Sequence, residues 1–271
     1  MIKAGTRKWS GALAAGILQM SSSALAQTNV EGDPHRDDPA GIVTHPCPDH
    51  PLPSDEPGWH RWNLHMLTRD FGQLCRYAAA NAQLKQLPRV VFIGDSITDN
   101  WINLDPSLFT DGIIDRGISG QTTPQMLVRF RQDVIALRPR AVHIMAGTND
   151  IAGNTGAATF ETVTGNIESM VDLARAHGIA VILGSVPPAG AFPWSPSKRP
   201  APQIAQLNSW LRSYARRNGL IYVDYHSPMA QPDGAMKPGL SSDGVHPTKQ
   251  GYASMRAAAE AAIARALRTG R

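Results

Sequence analysis

A serine hydroxyl acts as a nucleophile at neutral pH only beside a base, with a group to orient that base and donors to receive the oxyanion that forms. The sequence holds candidates for every one of these parts. Ser96 follows an apolar run, Val90 to Ile93, and then Gly94, so the chain turns there and presents the hydroxyl at a strand end. Asp243 and His246 are separated only by Gly244 and Val245 in a turn-rich segment, so both side chains can project from one short loop. In that arrangement the imidazole takes the serine proton, and the carboxylate sets its tautomer and stabilises the imidazolium. Asn149 brings a side-chain NH2, and Gly120 permits close backbone approach with an inward N–H.

Each piece alone has a plainer reading. Gly-Asp-Ser after a strand can be a simple turn, and Asp-Gly-Val-His a surface turn ahead of a helix. Gly147-Thr148-Asn149-Asp150 can be a strand-to-helix junction in which Asn149 or Asp150 is the N-cap. Gly117 and Gly120 can serve only to tighten a loop. Their joint occurrence at strand ends and in a terminal loop favours the chemical reading.

The elements that must position these residues are short β-branched runs alternating with longer helical stretches, the pattern of a parallel sheet covered on both faces. Strands are expected at Val90–Ile93, Gly112–Asp115, Ala141–Met145, Ala180–Leu183 and Leu220–Val223, and helices near Pro124–Leu137, Thr159–His177, Ala201–Asn218 and Lys249–Leu267. In such a sheet ligands bind beyond the carboxyl ends of the strands, where the candidate residues sit. Upstream, Trp59, Trp62, Met66, Phe71, Leu74 and Tyr77 recur at roughly helical spacing, so a helix packed on the core is expected between Trp59 and Gln86.

Four blocks of this sequence resemble those of the SGNH (GDSL-type) hydrolases: Val91-Phe92-Ile93-Gly94-Asp95-Ser96-Ile97-Thr98, Gly117-Ile118-Ser119-Gly120-Gln121-Thr122-Thr123, Gly147-Thr148-Asn149-Asp150 and Ser242-Asp243-Gly244-Val245-His246-Pro247. The form of the second block is similar to bacterial esterases of the platelet-activating-factor acetylhydrolase kind. The first block has Ile97 where the Leu that named the family stands. The resemblance implies a flavodoxin-like three-layer α/β/α sandwich. It also implies that Ser96 attacks an acyl carbonyl, that His246 is the base with Asp243 behind it, and that the N–H groups of Ser96 and Gly120 and the Asn149 amide form the oxyanion hole. It makes Gly120, not Gly117, the donor glycine. The implied activity is that of an acylesterase on short acyl or acetyl esters, with carbohydrate esters among them. The alternatives are a lysophospholipase or thioesterase of the same family, or a non-catalytic binding protein on the same fold. No Gly-x-Ser-x-Gly elbow occurs, which argues against the α/β-hydrolase route to this chemistry.

Around the site, Asp99, Asn100 and Trp101 are expected to form its floor. A long connection after the fourth strand carries Pro187, Pro188, Pro193, Pro196, Pro200 and Pro202 around Phe192, Trp194, Lys198 and Arg199. Loops of this length in a compact domain are usually functional. Phe192 and Trp194 then either wall the substrate site or fold down over the sheet. His143, inside an apolar strand, is expected to be a core residue. Asp95 and Asp150 are expected to hold backbone turns. No His-Glu-x-x-His, P-loop or dinucleotide glycine motif is present, and neither metal nor organic cofactor is expected.

The first 26 residues run from Lys3, Arg7 and Lys8 through an apolar stretch to Ala24-Leu25-Ala26, the order of a secretory signal peptide cleaved after Ala26. The protein is therefore expected to be secreted or periplasmic. Residues 27–55 form an extended Pro-rich arm, and 56–271 one hydrolase domain. Three of the 26 basic residues leave with the leader and none of the 22 acidic ones, so the formal charge drops from +4 to +1. A nearly neutral mature chain gives no electrostatic ground for nucleic-acid or anionic-membrane partners, and no membrane insertion is expected after leader removal. The expected partner is a small-molecule or glycan ester. Export also exposes Cys47 and Cys75 to an oxidising compartment, where the pair is expected to form a disulfide.

Overall fold

In the computed structural model the described residues are Leu67 and residues 70–269, all within a unit that spans Pro46–Arg271. The expected leader, the arm and Cys47 lie outside them.

Five strands form one parallel sheet: β1 (Val90–Gly94), β2 (Ile113–Gly117), β3 (Ala141–Met145), β4 (Ala180–Gly184) and β5 (Ile221–Val223). Their spatial order is β2-β1-β3-β4-β5, the doubly wound order of flavodoxin-like folds. The central strands β1 and β3 are buried along their whole length, as continuous apolar runs in a two-sided parallel sheet must be.

Alternate strand residues feed two separate cores. Val91, Ile93, Val142, Ile144, Val181 and Leu183 enter one, while Val90, Phe92, Ala141, Ile182 and Val223 enter the other. Helices α4 (Thr123–Asp133), α6 (Phe160–Ala176) and α7 (Pro200–Asn218) cover the first face. Helix α9 (Lys249–Thr269) covers the second with Tyr252, Met255, Ala259 and Ile263. The result is a three-layer sandwich, as expected. No helix among the described residues is long and apolar enough to cross a membrane.

Local signals account for the helix boundaries. The Gln125 side chain accepts the Thr122 N–H at 3.0 Å, with Pro124 just inside the start of α4. Thr159 Oγ1 accepts the Thr162 N–H at 3.1 Å at the start of α6. Four helices that follow strands are short: α2 (Ser96–Asp99), α3 (Trp101–Leu104), α5 (Thr148–Ala152) and α8 (His226–Met229).

Two expectations need correction. The helix expected over 124–137 stops at Asp133, and a separate 3-10 turn, Ile135–Leu137, follows it. Of the helix expected between Trp59 and Gln86, Leu67 is helical and its neighbours on either side lie outside the described residues, while from residue 71 the chain is a run of turns over 71–77 and then the five-residue α1 (Ala78–Ala82). Asp70 Oδ1 accepts the Leu74 N–H at 2.9 Å, and Gln73 adopts a left-handed φ of 53°. These local bonds satisfy the backbone without a helix, and Gly72 lowers helix propensity further.

Candidate active site

The strand registers place the candidate blocks in one row. Gly94 of β1 stands opposite Gly117 of β2 on one side and Met145 of β3 on the other. The chain segments leaving these three positions carry Ser96, Gly120 and Asn149.

Ser96 is the first residue of α2, where the backbone N–H has no intrahelical acceptor. Asp95, the N-cap, accepts the Ile97 N–H at 2.9 Å and so shapes the turn, as expected. Burial pushes the Asp95 carboxyl up to about 6. The turn folds back tightly because Gly94 has no side chain: a Cβ there would lie 2.1 Å from Thr98 Oγ1 and 2.9 Å from the Met145 carbonyl oxygen.

The loop from Ser241 to Pro247 brings the other two groups. It is closed by an antiparallel bridge between those residues, and Val245, 1% exposed, anchors it in the core. Gly244 turns the chain with φ of 84°. Ser96 Oγ lies 2.8 Å from His246 Nε2, and His246 Nδ1 lies 2.6 Å from Asp243 Oδ2. The other carboxylate oxygen, Oδ1, accepts the Val245 and His246 N–H groups at 2.9 and 2.8 Å and the Ser241 hydroxyl at 3.0 Å. Partial burial acts to raise the Asp243 pKa. The hydrogen bonds from the His246 ring and from the two backbone amides outweigh it and hold the carboxyl down at about 2.

The donor side is equally ordered. Gly120 adopts φ of 81°, a conformation that favours glycine. Asn149 is buried; its Nδ2 donates to the Gln121 carbonyl at 3.1 Å, and its Oδ1 accepts from Asn154 Nδ2 at 2.9 Å. An NH2 group has two hydrogens, so Asn149 keeps one beyond the bond to Gln121. Neither Asn149 nor Asp150 is the cap of α5, which is Gly147. Asp150 instead accepts the Thr123 hydroxyl at 2.5 Å and its N–H at 3.0 Å, tying the second block to the third.

The expected floor and wall are only partly realised. Trp101 is 0% exposed, packed edge-on against Phe92 and Tyr225, so it touches core and not substrate. Asp99 turns to the second block, where its Oδ2 accepts the Ser119 hydroxyl at 2.7 Å. Phe192 is also 0% exposed and belongs to the first core. Trp194 differs: it stacks on Phe192 with centroids 5.2 Å apart, remains 43% exposed, and lies 5.8 Å from the His246 ring. His143 is the buried core residue expected, bonded through Nε2 to the Tyr225 hydroxyl at 2.9 Å.

Three supporting residues escaped sequence reasoning. Arg129 is fully buried, paired with Asp133 at 3.1 Å, and donates to the carbonyls of Gly94 at 3.0 Å and Arg116 at 2.7 Å and to Gln121 Oε1 at 2.6 Å. It thus braces the first and second blocks from below. Tyr252 of α9 donates its hydroxyl to the Ile97 carbonyl at 2.7 Å. Asn154 joins Asn149 to the Pro-rich loop. A signal existed only for Arg129, as a cation four residues before Asp133 on an otherwise amphipathic helix. Cys75 is disulfide-bonded. Among the described residues no group of His, Cys, Asp and Glu side chains is arranged to hold a metal ion.

Known proteins of similar sequence and fold identify the family. A Bacteroides fragilis protein inferred to be an acylhydrolase has a crystal structure that superposes with a TM-score of 0.71 at 49% identity, over 73% of this chain and 99% of that one. A GDSL-like lipase from Bacteroides thetaiotaomicron gives 0.70 at 48% identity, over 72% and 99%. Among curated proteins, the uncharacterized lipoprotein YqeF of Bacillus subtilis is 29% identical over 128 residues, 41% of this chain; the chain spans about half, 53%, of that relative's length. The sequence model of the GDSL-like lipase/acylhydrolase family matches residues 92–254, which take in the last three blocks and the first from Phe92 on, and the chain belongs to that family.

Proposed function

We propose that the protein is an exported serine acylesterase that works through an acyl-enzyme on Ser96. The observation that carries this reading is the continuous hydrogen-bond chain Ser96–His246–Asp243, 2.8 and 2.6 Å at its two links. Ser96 Oγ adds to the ester carbonyl carbon as its proton passes to His246 Nε2. The oxyanion is received by the N–H groups of Ser96 and Gly120 and by the Asn149 amide. Collapse expels the alcohol, which takes the proton back from His246, and a water repeats the sequence to release the acid. Asp243, held near a pKa of 2, stays ionised throughout and keeps the Nδ1 proton on the imidazole.

The substrate reading is a short acyl or acetyl ester, with carbohydrate esters favoured. Trp194 is a single half-exposed indole beside His246, while Phe192 and Trp101 are withdrawn into the core. One indole can flank a sugar ring or a short acyl group, and it does not line a long apolar channel. Export is supported by the order of residues 1–26 and by the likeness to a lipoprotein.

A fluorophosphonate probe is expected to label Ser96, and Ser96→Ala is expected to abolish labelling and lower kcat about a thousandfold or more. Near-normal turnover in that variant would falsify the assignment. A panel of p-nitrophenyl esters of rising chain length, followed by acetylated sugars, is expected to favour the short and the acetylated members. Preference for long-chain or lysophospholipid substrates would instead support the lysophospholipase alternative.

A further inference from the structure

An asparagine amide is nearly symmetric in shape, and only its hydrogen-bond partners decide which end is the donor. For an oxyanion donor that decision is the difference between stabilising and repelling negative charge. Asn149 faces the decision twice, since the Gln121 carbonyl needs a donor at one end and Asn154 Nδ2 needs an acceptor at the other. A flipped Asn149 would set oxygen against oxygen and NH2 against NH2.

Asn154 is itself oriented. Gly153 ends α5 in the left-handed region, φ of 82°, and folds the chain back so that the Asn154 N–H reaches the Asn149 carbonyl at 3.0 Å. The two hydrogens of Asn154 Nδ2 then go to Asn149 Oδ1 at 2.9 Å and to the Gly120 carbonyl at 3.1 Å. One amide therefore holds two of the residues read as oxyanion donors. Its Oδ1 accepts from Trp194 Nε1 at 3.1 Å. An indole N–H can only donate, so Trp194 fixes the Asn154 oxygen end, in the same sense that the Gly120 and Gln121 carbonyls, which can only accept, fix the NH2 ends of Asn154 and Asn149. The loop that carries it is tied down by Ser195, whose hydroxyl donates to the Ala152 carbonyl at 3.2 Å.

We propose that Trp194 and Asn154 are positioning residues for the oxyanion hole: the indole N–H orients the Asn154 amide, which in turn orients Asn149 and anchors Gly120. This rests on the reading of Asn149 as an oxyanion donor. It gives the Pro-rich loop a second task, because the side chain that flanks the substrate also sets the polarity of the donor that receives the developing charge.

The test separates direction-setting from simple packing. Trp194→Phe keeps an aromatic ring on Phe192 while removing the N–H together with part of the indole's area, and Asn154→Ala removes the amide. With p-nitrophenyl acetate, kcat is expected to fall about tenfold in the first and about 10²-fold in the second, below or near the cost of losing a donor outright. KM is expected to stay within about twofold, and the pH profile of Asn154→Ala to keep its wild-type shape, since Asn154 bonds to Asn149, Gly120 and Trp194 and to neither His246 nor Asp243. In an Asn149→Ala background both substitutions are expected to cost clearly less in kcat than they do alone, because the Asn149 amide is gone and only the Gly120 anchor is left to lose. Losses that multiply in that background overturn the proposal. The hydrogen-bond chain is read independently of turnover by NMR exchange of the Trp194 indole N–H in Ser96→Ala protein. Asn154→Ala is expected to speed this exchange, and equal rates overturn the proposal. A wild-type protein that hydrolyses no ester overturns the esterase reading, and the relay then stands or falls on the exchange rates alone.

Discussion

Replacing Asp243 by asparagine exchanges one carboxylate oxygen for NH2 and leaves the shape of the side chain intact, yet the structure makes it among the most damaging substitutions available. Oδ1 of Asp243 accepts two backbone N–H groups, from Val245 and His246, as well as the Ser241 hydroxyl. An asparagine must keep its oxygen at that position, because its NH2 there would face two donors. The NH2 is thereby forced onto the position 2.6 Å from His246 Nδ1. A donor at Nδ1 demands a lone pair from the imidazole, so the ring proton moves to Nε2 and points at Ser96 Oγ. The base then presents a proton where it should present a lone pair.

Locking the wrong tautomer is expected to lower kcat by about 10⁴, or ~5.5 kcal/mol in the barrier, with KM little changed. Asp243→Ala should be milder on chemistry and harsher on folding. The Asp243 side chain is 36% exposed, so water can reach Nδ1 and accept its proton, while the two backbone amides lose their acceptor. About a 10²-fold loss of kcat is expected there, with a lower melting temperature than the asparagine variant. Steady-state hydrolysis of p-nitrophenyl acetate and thermal melts of both variants are the assay. If the asparagine variant retains activity within tenfold of wild type, or exceeds the alanine variant in turnover, the tautomer argument is wrong.

Gly94→Ala drives a methyl to 2.1 Å from Thr98 Oγ1 and 2.9 Å from the Met145 carbonyl, so a loss of about 1–3 kcal/mol is expected in denaturant melts, together with reduced activity as the Ser96 turn shifts; unchanged stability would show that the turn relaxes freely. Asp115 is buried, with its carboxyl raised by desolvation to about 7 from 3.8, so the folded protein holds a proton that the unfolded chain releases. Its contribution is present below about pH 4 and lost as pH rises through about 7, and Asp115→Asn is therefore expected to gain stability relative to wild type between pH 5 and pH 8; parallel melting curves across that range would contradict the shift. Thiol titration of the exported protein, denatured without reductant, is expected to find no free thiol, and Cys75→Ser to cost about 3 kcal/mol if Cys47 is its partner; two free thiols would remove that pairing.

The sequence alone determined the sheet and singled out the candidate triad. Apolar runs such as Val90–Ile93 and Ala141–Met145 have no stable place except a strand buried on both faces, so their number and spacing dictate the parallel sheet. Ser96, Gly120, Asn149, Asp243 and His246 were legible because each sits beside a glycine-marked turn at or after a strand end, and turn chemistry is local. The fate of the aromatic residues was not legible. Trp101, Phe192 and Trp194 are all large and apolar, and nothing in their neighbours states that the first two enter the core while the third stands beside His246. Which way an irregular segment turns its side chains depends on the space left by elements distant in sequence, here the cores under α7 and α9.

The same holds for the polar supports. Arg129 reaches Gly94, Arg116 and Gln121 only after α4 has packed beneath β1 and β2, and Asn154 meets Trp194 across a separation of forty residues. Short-range pattern marks the candidate chemical groups because turns and strand ends are local features. Tertiary packing decided which groups hold them in place, because a hydrogen-bond partner is chosen by proximity in space, and proximity exists only once the layers have closed.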